Sequence, residues 1–181
     1  MNYSESGEKF YRILSSLPLV DYPRRTFYKD GRFRETTFIV ESFLRSRCFR
    51  EGGATCGNCH DPHPAGDAAK NLKSLKFGAD PDRMCLGCHA RFQANPEAHT
   101  HHAAASEASR CISCHMPRIM NSLLFEARYH QIDDTPDAEM TARFGQADSP
   151  NACLQCHKDR DTAWLTKSLA GWKDKNQTAS R

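Results

Sequence analysis

Eight cysteines and four histidines of this chain fall into one repeated spacing. Cys-x-x-Cys-His occurs at Cys56, Cys59 and His60, at Cys85, Cys88 and His89, at Cys111, Cys114 and His115, and at Cys153, Cys156 and His157. His is 9 of 181 residues, so His following all four pairs by chance has odds of about six in a million against a motif of known chemistry. Two thiols at this spacing can form thioether bonds to the vinyl groups of a porphyrin, and the adjoining imidazole then ligates the iron. The pattern predicts four haem c groups. Zinc accounts for it less well. A zinc site takes four thiolate or imidazole ligands, and gives no reason for His to follow every second Cys. A thioredoxin-like dithiol wants a βαβ context, which is absent.

The ligand opposite the motif His decides what such an iron can do. A protein group there closes the iron and leaves it electron transfer alone; an open position lets it bind a small molecule. With His60, His89, His115 and His157 taken as proximal ligands, His63, His99, His101, His102 and His130 remain, five candidates for four positions. His63 lies three residues after His60, cannot turn back onto the same haem, and should serve a neighbour. His99 and His102 are three apart and would share one face of a helical turn, which suits two close haems. His101 would point elsewhere and is the spare. His130 is a long-range ligand or a surface residue. The expected distal set is therefore His63, His99, His102 and His130. Met84, Met120 and Met140 are weaker candidates, and Met116 is too close to His115 to serve its iron.

The elements that must hold these groups are short. Hydrophobic residues are 39% of the chain and the mean hydropathy is −0.70, a thin supply for an ordinary core of this size. Four flat apolar macrocycles would supply the missing core, with the peptide wrapped around them. The expected fold is mainly α with extensive irregular loops and a small N-terminal β-hairpin. Residues 1–52 form a lead segment packing on a tetrahaem domain over 53–181. The hairpin is placed at residues 26–34, where aromatics flank Asp30-Gly31, and a helix follows over 37–49, ended by Gly52-Gly53. The lead segment should lay its aromatics against the first haem. A helix over 82–93 should start on an acidic N-cap and carry the second motif. Pro117 should end the third. Residues 123–130 could be strand or helix. Another helix is expected around 137–144. Over 159–173, Ala163, Trp164, Leu165, Leu169 and Trp172 recur at helical spacing and should cover the fourth haem.

The formal charge of +3 does not mark a nucleic-acid binder. Four haems would add eight propionates and, when ferric, one net positive charge each, giving about −1 oxidised and about −5 reduced. The basic residues are scattered, apart from Arg24, Arg25, Lys29, Arg32 and Arg34, which read as a solvated hairpin. Cys48 is the ninth cysteine, left over from the motifs, and is expected to be buried and inert. No segment approaches the apolar length of a membrane span. Haem is attached to CxxCH outside the bacterial cytoplasm, yet residues 1–9 are polar and form no signal peptide. The expected location is therefore periplasmic or extracellular, with either the signal removed or, the reading preferred, the chain a piece of a longer exported protein.

The blocks Cys56-Gly57-Asn58-Cys59-His60-Asp61-Pro62-His63, His99-Thr100-His101-His102, Cys111-Ile112-Ser113-Cys114-His115-Met116-Pro117-Arg118 and Ser149-Pro150-Asn151-Ala152-Cys153-Leu154-Gln155-Cys156-His157 resemble the multihaem c-type cytochromes with doubled CxxCH motifs. Similar blocks occur in exported bacterial cytochromes joined to tetratricopeptide repeats. The resemblance implies bis-His haems in parallel and perpendicular pairs. It extends over about residues 53–160, and the repeats themselves are missing. The expected function is electron transfer between redox partner proteins, without enzymatic activity. The alternatives are the haem domain of a nitrogen- or sulfur-oxyanion reductase, with the iron served by His130 as its open site if His130 is not a ligand, and a self-associating subunit of an extracellular conducting filament.

Overall fold

The computed structural model describes residues 26–63, 74–78, 80–122, 124–132 and 138–178. Nine α-helices are defined among them: α1 Ile39–Arg45, α2 Arg47–Arg50, α3 Cys56–Cys59, α4 Asp82–Leu86, α5 Pro96–Thr100, α6 Cys111–His115, α7 Ala138–Phe144, α8 Ala152–Cys156 and α9 Thr162–Thr178. All but α9 are seven residues or shorter. Short 3-10 turns at Thr36–Phe38, Ala90–Phe92 and Glu107–Ser109 join them.

The second strand of the sheet lies in residues 123–130, which the sequence left undecided between strand and helix; the first precedes them. Strands β1 (Arg118–Asn121) and β2 (Glu126–Arg128) pair antiparallel, with Met120 opposite Ala127 and Asn121 opposite Glu126. The register shifts between Arg118 and Met120. A bulge of this kind breaks inward–outward alternation, which is why both Ile119 and Met120 are buried.

The expected N-terminal hairpin is corrected by this arrangement. Residues 26–34 form a tight turn closed by one isolated bridge, Phe27 to Phe33, not a pair of strands. The turn's polar groups bind elsewhere in the chain. The Lys29 amide donates to the Asp148 carbonyl at 2.9 Å. The Asp30 carboxylate takes Arg32 Nη2 and Ser149 Oγ, both at 2.7 Å. Arg32 also donates to the Pro150 carbonyl. Arg32 and Asp30 are thus largely enclosed, and only part of the basic cluster is solvated; Arg24 and Arg25 lie outside the described residues.

The lead aromatics build a protein core. Tyr28, Phe33, Ile119, Met120, Ala127 and Tyr129 form one buried cluster, with Phe27, Phe38 and Ile39 against it. The Phe33 and Phe38 rings stack at 4.8 Å. These aromatics therefore pack on the sheet, where their apolar area is removed from water by β1 and β2.

The expected helix over 37–49 is broken. Ser46 is extended (φ −67, ψ 148), and its hydroxyl accepts the Phe49 amide at the start of α2. Serine competes for backbone bonds inside a helix and is favoured as an N-cap. The long α9 begins where Asp161 accepts the Trp164 amide at 2.8 Å. It buries Leu165 completely and packs on α7. Among the described residues, no helix is long and apolar enough to cross a membrane.

Candidate functional site

Each motif is a single helical turn. The amides of His60, His89 and His157 donate to the carbonyls of Cys56, Cys85 and Cys153 at 2.8, 2.9 and 2.9 Å. That closure sets the two cysteines, three apart, on one face, with the His at the end of the turn.

The turns are too short to be stable alone, and side chains start three of them. Asn58 Oδ1 accepts the Thr55 amide at 2.8 Å before the first motif. Asn151, almost fully buried, accepts the Cys153 amide at 2.9 Å and is itself clasped by Gln146 through bonds of 2.8 and 3.1 Å. The third start corrects the expected capping. Asp82 does not cap its own helix, whose N-cap is Pro81 and which ends at Leu86 instead of running to residue 93. Its carboxylate instead accepts the Cys111 amide and Arg110 Nε, each at 3.0 Å. The second motif thus caps the third. The thiols of Cys85 and Cys111 are hydrogen-bonded, which pushes Cys85 up and Cys111 down from the ordinary thiol range. Burial raises Cys59, Cys114 and Cys153, the last to about 11.

Three motif histidines face a second imidazole. His60 and His130 have ring centroids 6.4 Å apart with planes 24° from parallel. His115 and His99 are 6.0 Å apart at 3°. His157 and His102 are 6.1 Å apart at 36°. The sequence distances spanned are 70, 16 and 55 residues, so tertiary structure makes all three pairs.

These distances can be tested against an iron centre. Two imidazoles on opposite sides of one metal, each at a metal–nitrogen distance of roughly 2.0 Å, put their centroids about 6 Å apart. All three pairs fit. Direct ring stacking would bring them closer: Phe92 and His99 lie at 4.4 Å.

The ring tautomers are fixed as ligands require. His130 Nδ1 is 2.9 Å from the Arg128 carbonyl, and His102 Nδ1 is 2.6 Å from the Thr100 carbonyl. A carbonyl only accepts, so each Nδ1 carries the proton and each Nε2 keeps its lone pair. Burial lowers His130 and His99 below the ordinary imidazole range, which keeps them neutral. For His130, the His60 ring adds to this lowering and the Arg128 bond opposes it.

Around the fourth motif, Trp164 lies 4.8 Å from His157, and Trp172 lies 4.6 Å from His101 and 6.3 Å from His102. The expected shared helical face of His99 and His102 is corrected here: the helix ends at Thr100 and His101 takes the left-handed conformation (φ 57), so His102 lies beyond the turn that carries His99. A recess of about 960 Å³, lined by His102, Trp164 and Trp172 among others, opens here.

The remaining expected ligands are placed differently. His63 is exposed, and its amide donates to the Asp61 carboxylate at 3.0 Å. No ring contact joins it to His89. The ring neighbour of His89 is Phe92, at 6.4 Å. Met120 is fully buried in the protein core and serves packing. Cys48 is only partly buried.

Arg128 is a functional candidate that sequence reasoning missed. Its Nη1 donates to the carbonyls of Ile112 and Met116 at 2.6 and 2.9 Å, capping the C-terminal end of α6 beside His115. Burial lowers its pKa. The only signal in the sequence was an Arg two residues before a candidate ligand.

Residues 48–94 match the doubled CXXCH motif family. The doubled-motif segment comprises the first two motifs and the cysteine that precedes them. It is a haem c-binding pattern, consistent with a multihaem c-type cytochrome. No curated protein and no solved structure matches the chain.

Proposed function

We propose that this chain is an exported electron-transfer cytochrome carrying four haem c groups, one on each of Cys56/Cys59, Cys85/Cys88, Cys111/Cys114 and Cys153/Cys156. The observation that carries this reading is the trio of facing imidazoles, His60–His130, His115–His99 and His157–His102, at 6.0 to 6.4 Å. Bound haem supplies one-electron exchange between ferric and ferrous iron.

The chain's own residues would position the groups. The motif cysteines would anchor them, and His60 with His130, His115 with His99 and His157 with His102 would hold three of the irons. The Arg128 and Thr100 carbonyls hold two of those rings in the ligating tautomer. The bond from the Cys111 amide to Asp82, and packing of α6 on α4 and α8, keep the second, third and fourth motifs adjacent. Adjacent motifs favour electron passage along the chain to a redox partner.

Two measurements test this. The chain is expressed behind a secretion signal in a host that attaches haem c, and its intact mass and haemochrome spectrum count the haems. Four are expected, and a colourless or zinc-loaded product refutes the reading. His130→Ala, His99→Ala and His102→Ala should each convert one low-spin ferric centre to high spin. Unchanged electron paramagnetic resonance spectra in all three would overturn the pairing.

A further inference from the structure

The described residues include all nine histidines, so every imidazole can be placed. Six of them form the three facing pairs. His101 lies on Trp172, 4.6 Å away. His63 is exposed, with no ring against it. His89 is therefore the one motif histidine that faces no second imidazole. Phe92, its ring neighbour, has no lone pair to donate. It lies three residues after His89, in the 3-10 turn Ala90–Phe92, with ring centroids 6.4 Å apart.

Solvent access sets His89 apart in the same direction. It is exposed, whereas His60, His99, His102, His115, His130 and His157 are all partly buried. Beside it, the Arg91 guanidinium lies 4.6 Å over the Phe92 ring. A metal position with one protein imidazole, and no second imidazole facing it among the described residues, is the arrangement that admits an external molecule.

We propose that the haem position anchored by Cys85, Cys88 and His89 is a ligand-binding centre, taking a small diatomic molecule on the face opposite His89. This rests on the haem reading above and departs from it in function, since the other three positions are closed by protein. It also moves the open site from the position served by His130 to the second motif.

Carbon monoxide is the probe, used on the haem-loaded full chain after reduction with dithionite. The expected result is uptake at one haem in four, and a high-spin ferric signal of one haem equivalent before reduction. His63→Ala should leave uptake unchanged. A Cys85→Ser/Cys88→Ser variant that retains its other haems should lose uptake. A wholly low-spin protein with four haems and no uptake overturns the proposal. So does uptake that appears only in His63→Ala, which would make His63 the closing ligand. The haemochrome count on the same sample separates these outcomes from a protein without haem, which would sink the haem reading and this proposal with it.

Discussion

Arg128 holds two parts of the candidate site at once. Its guanidinium ends α6 beside His115, while its carbonyl fixes the His130 ring. A half-buried cation near an iron favours the reduced form, which carries one positive charge less. Arg128→Gln should therefore lower the potential of the haem on His115 in a potentiometric titration, and Arg128→Lys should restore most of it. The carbonyls left without their donor should cost about 1–3 kcal/mol in denaturant unfolding. The histidines were the legible part at this scale. Counting imidazoles marked His63, His99, His102 and His130 as candidate ligands, because ligand chemistry restricts which residues can serve, and the fold sets the last three at 6.0 to 6.4 Å from a motif histidine. Arg128 was not legible, because capping by a guanidinium from another element has no local signature. Nor was the environment of His63 and His89, which depends on which rings the fold brings within 7 Å of each other, not on spacing.

At the scale of elements, the motif turns are started by polar groups that the chain brings from both near and far. Asn58 and Asn151 are near, and the start at Asn151 could be read from the sequence as an N-cap residue before an apolar turn. Asp82 is far: 29 residues separate its carboxylate from the Cys111 amide. Sequence reasoning gave it to its own helix, because local capping is the common case. The Arg110 bond and the approach of the two motifs override that preference. Asp82→Ala should destabilise the chain by about 1 kcal/mol, the usual worth of an N-cap. It should also loosen the second motif against the third, visible as broadened signals of those two haems in paramagnetic spectra. Asp82→Asn keeps an acceptor for the amide and should retain most of the stability. Ser46 follows the same logic: its preference for the cap position splits a helix that the apolar periodicity predicted as continuous.

At the scale of the whole molecule, nine hydrophobic side chains are buried among the described residues. The protein core that does exist joins the N-terminal turn to the β1–β2 sheet, and that turn is latched onto the segment leading into the fourth motif. The latch is legible only in three dimensions, since Asp30 and Ser149 are 119 residues apart. Asp30 carries it. Burial raises its carboxyl pKa, but hydrogen bonds from Arg32, Ser149 and the Arg32 amide outweigh burial and hold it below the ordinary carboxylate range. A carboxylate depressed in the folded state adds stability above its unfolded pKa of about 3.9, and loses that contribution as pH falls through the lower folded value. The latch should therefore be intact at neutral pH and fail in acid, below about pH 4. Asp30→Asn should flatten this part of the acid-unfolding profile, and Asp30→Ala should cost about 1–3 kcal/mol at neutral pH. The readout is circular dichroism against pH, with the His157 haem band followed in parallel. If the latch seats the fourth motif, that band should shift in step with the loss of Asp30's charge in the parent protein. It should not do so in Asp30→Asn. An acid profile identical in both proteins would separate the N-terminal turn from the fourth motif.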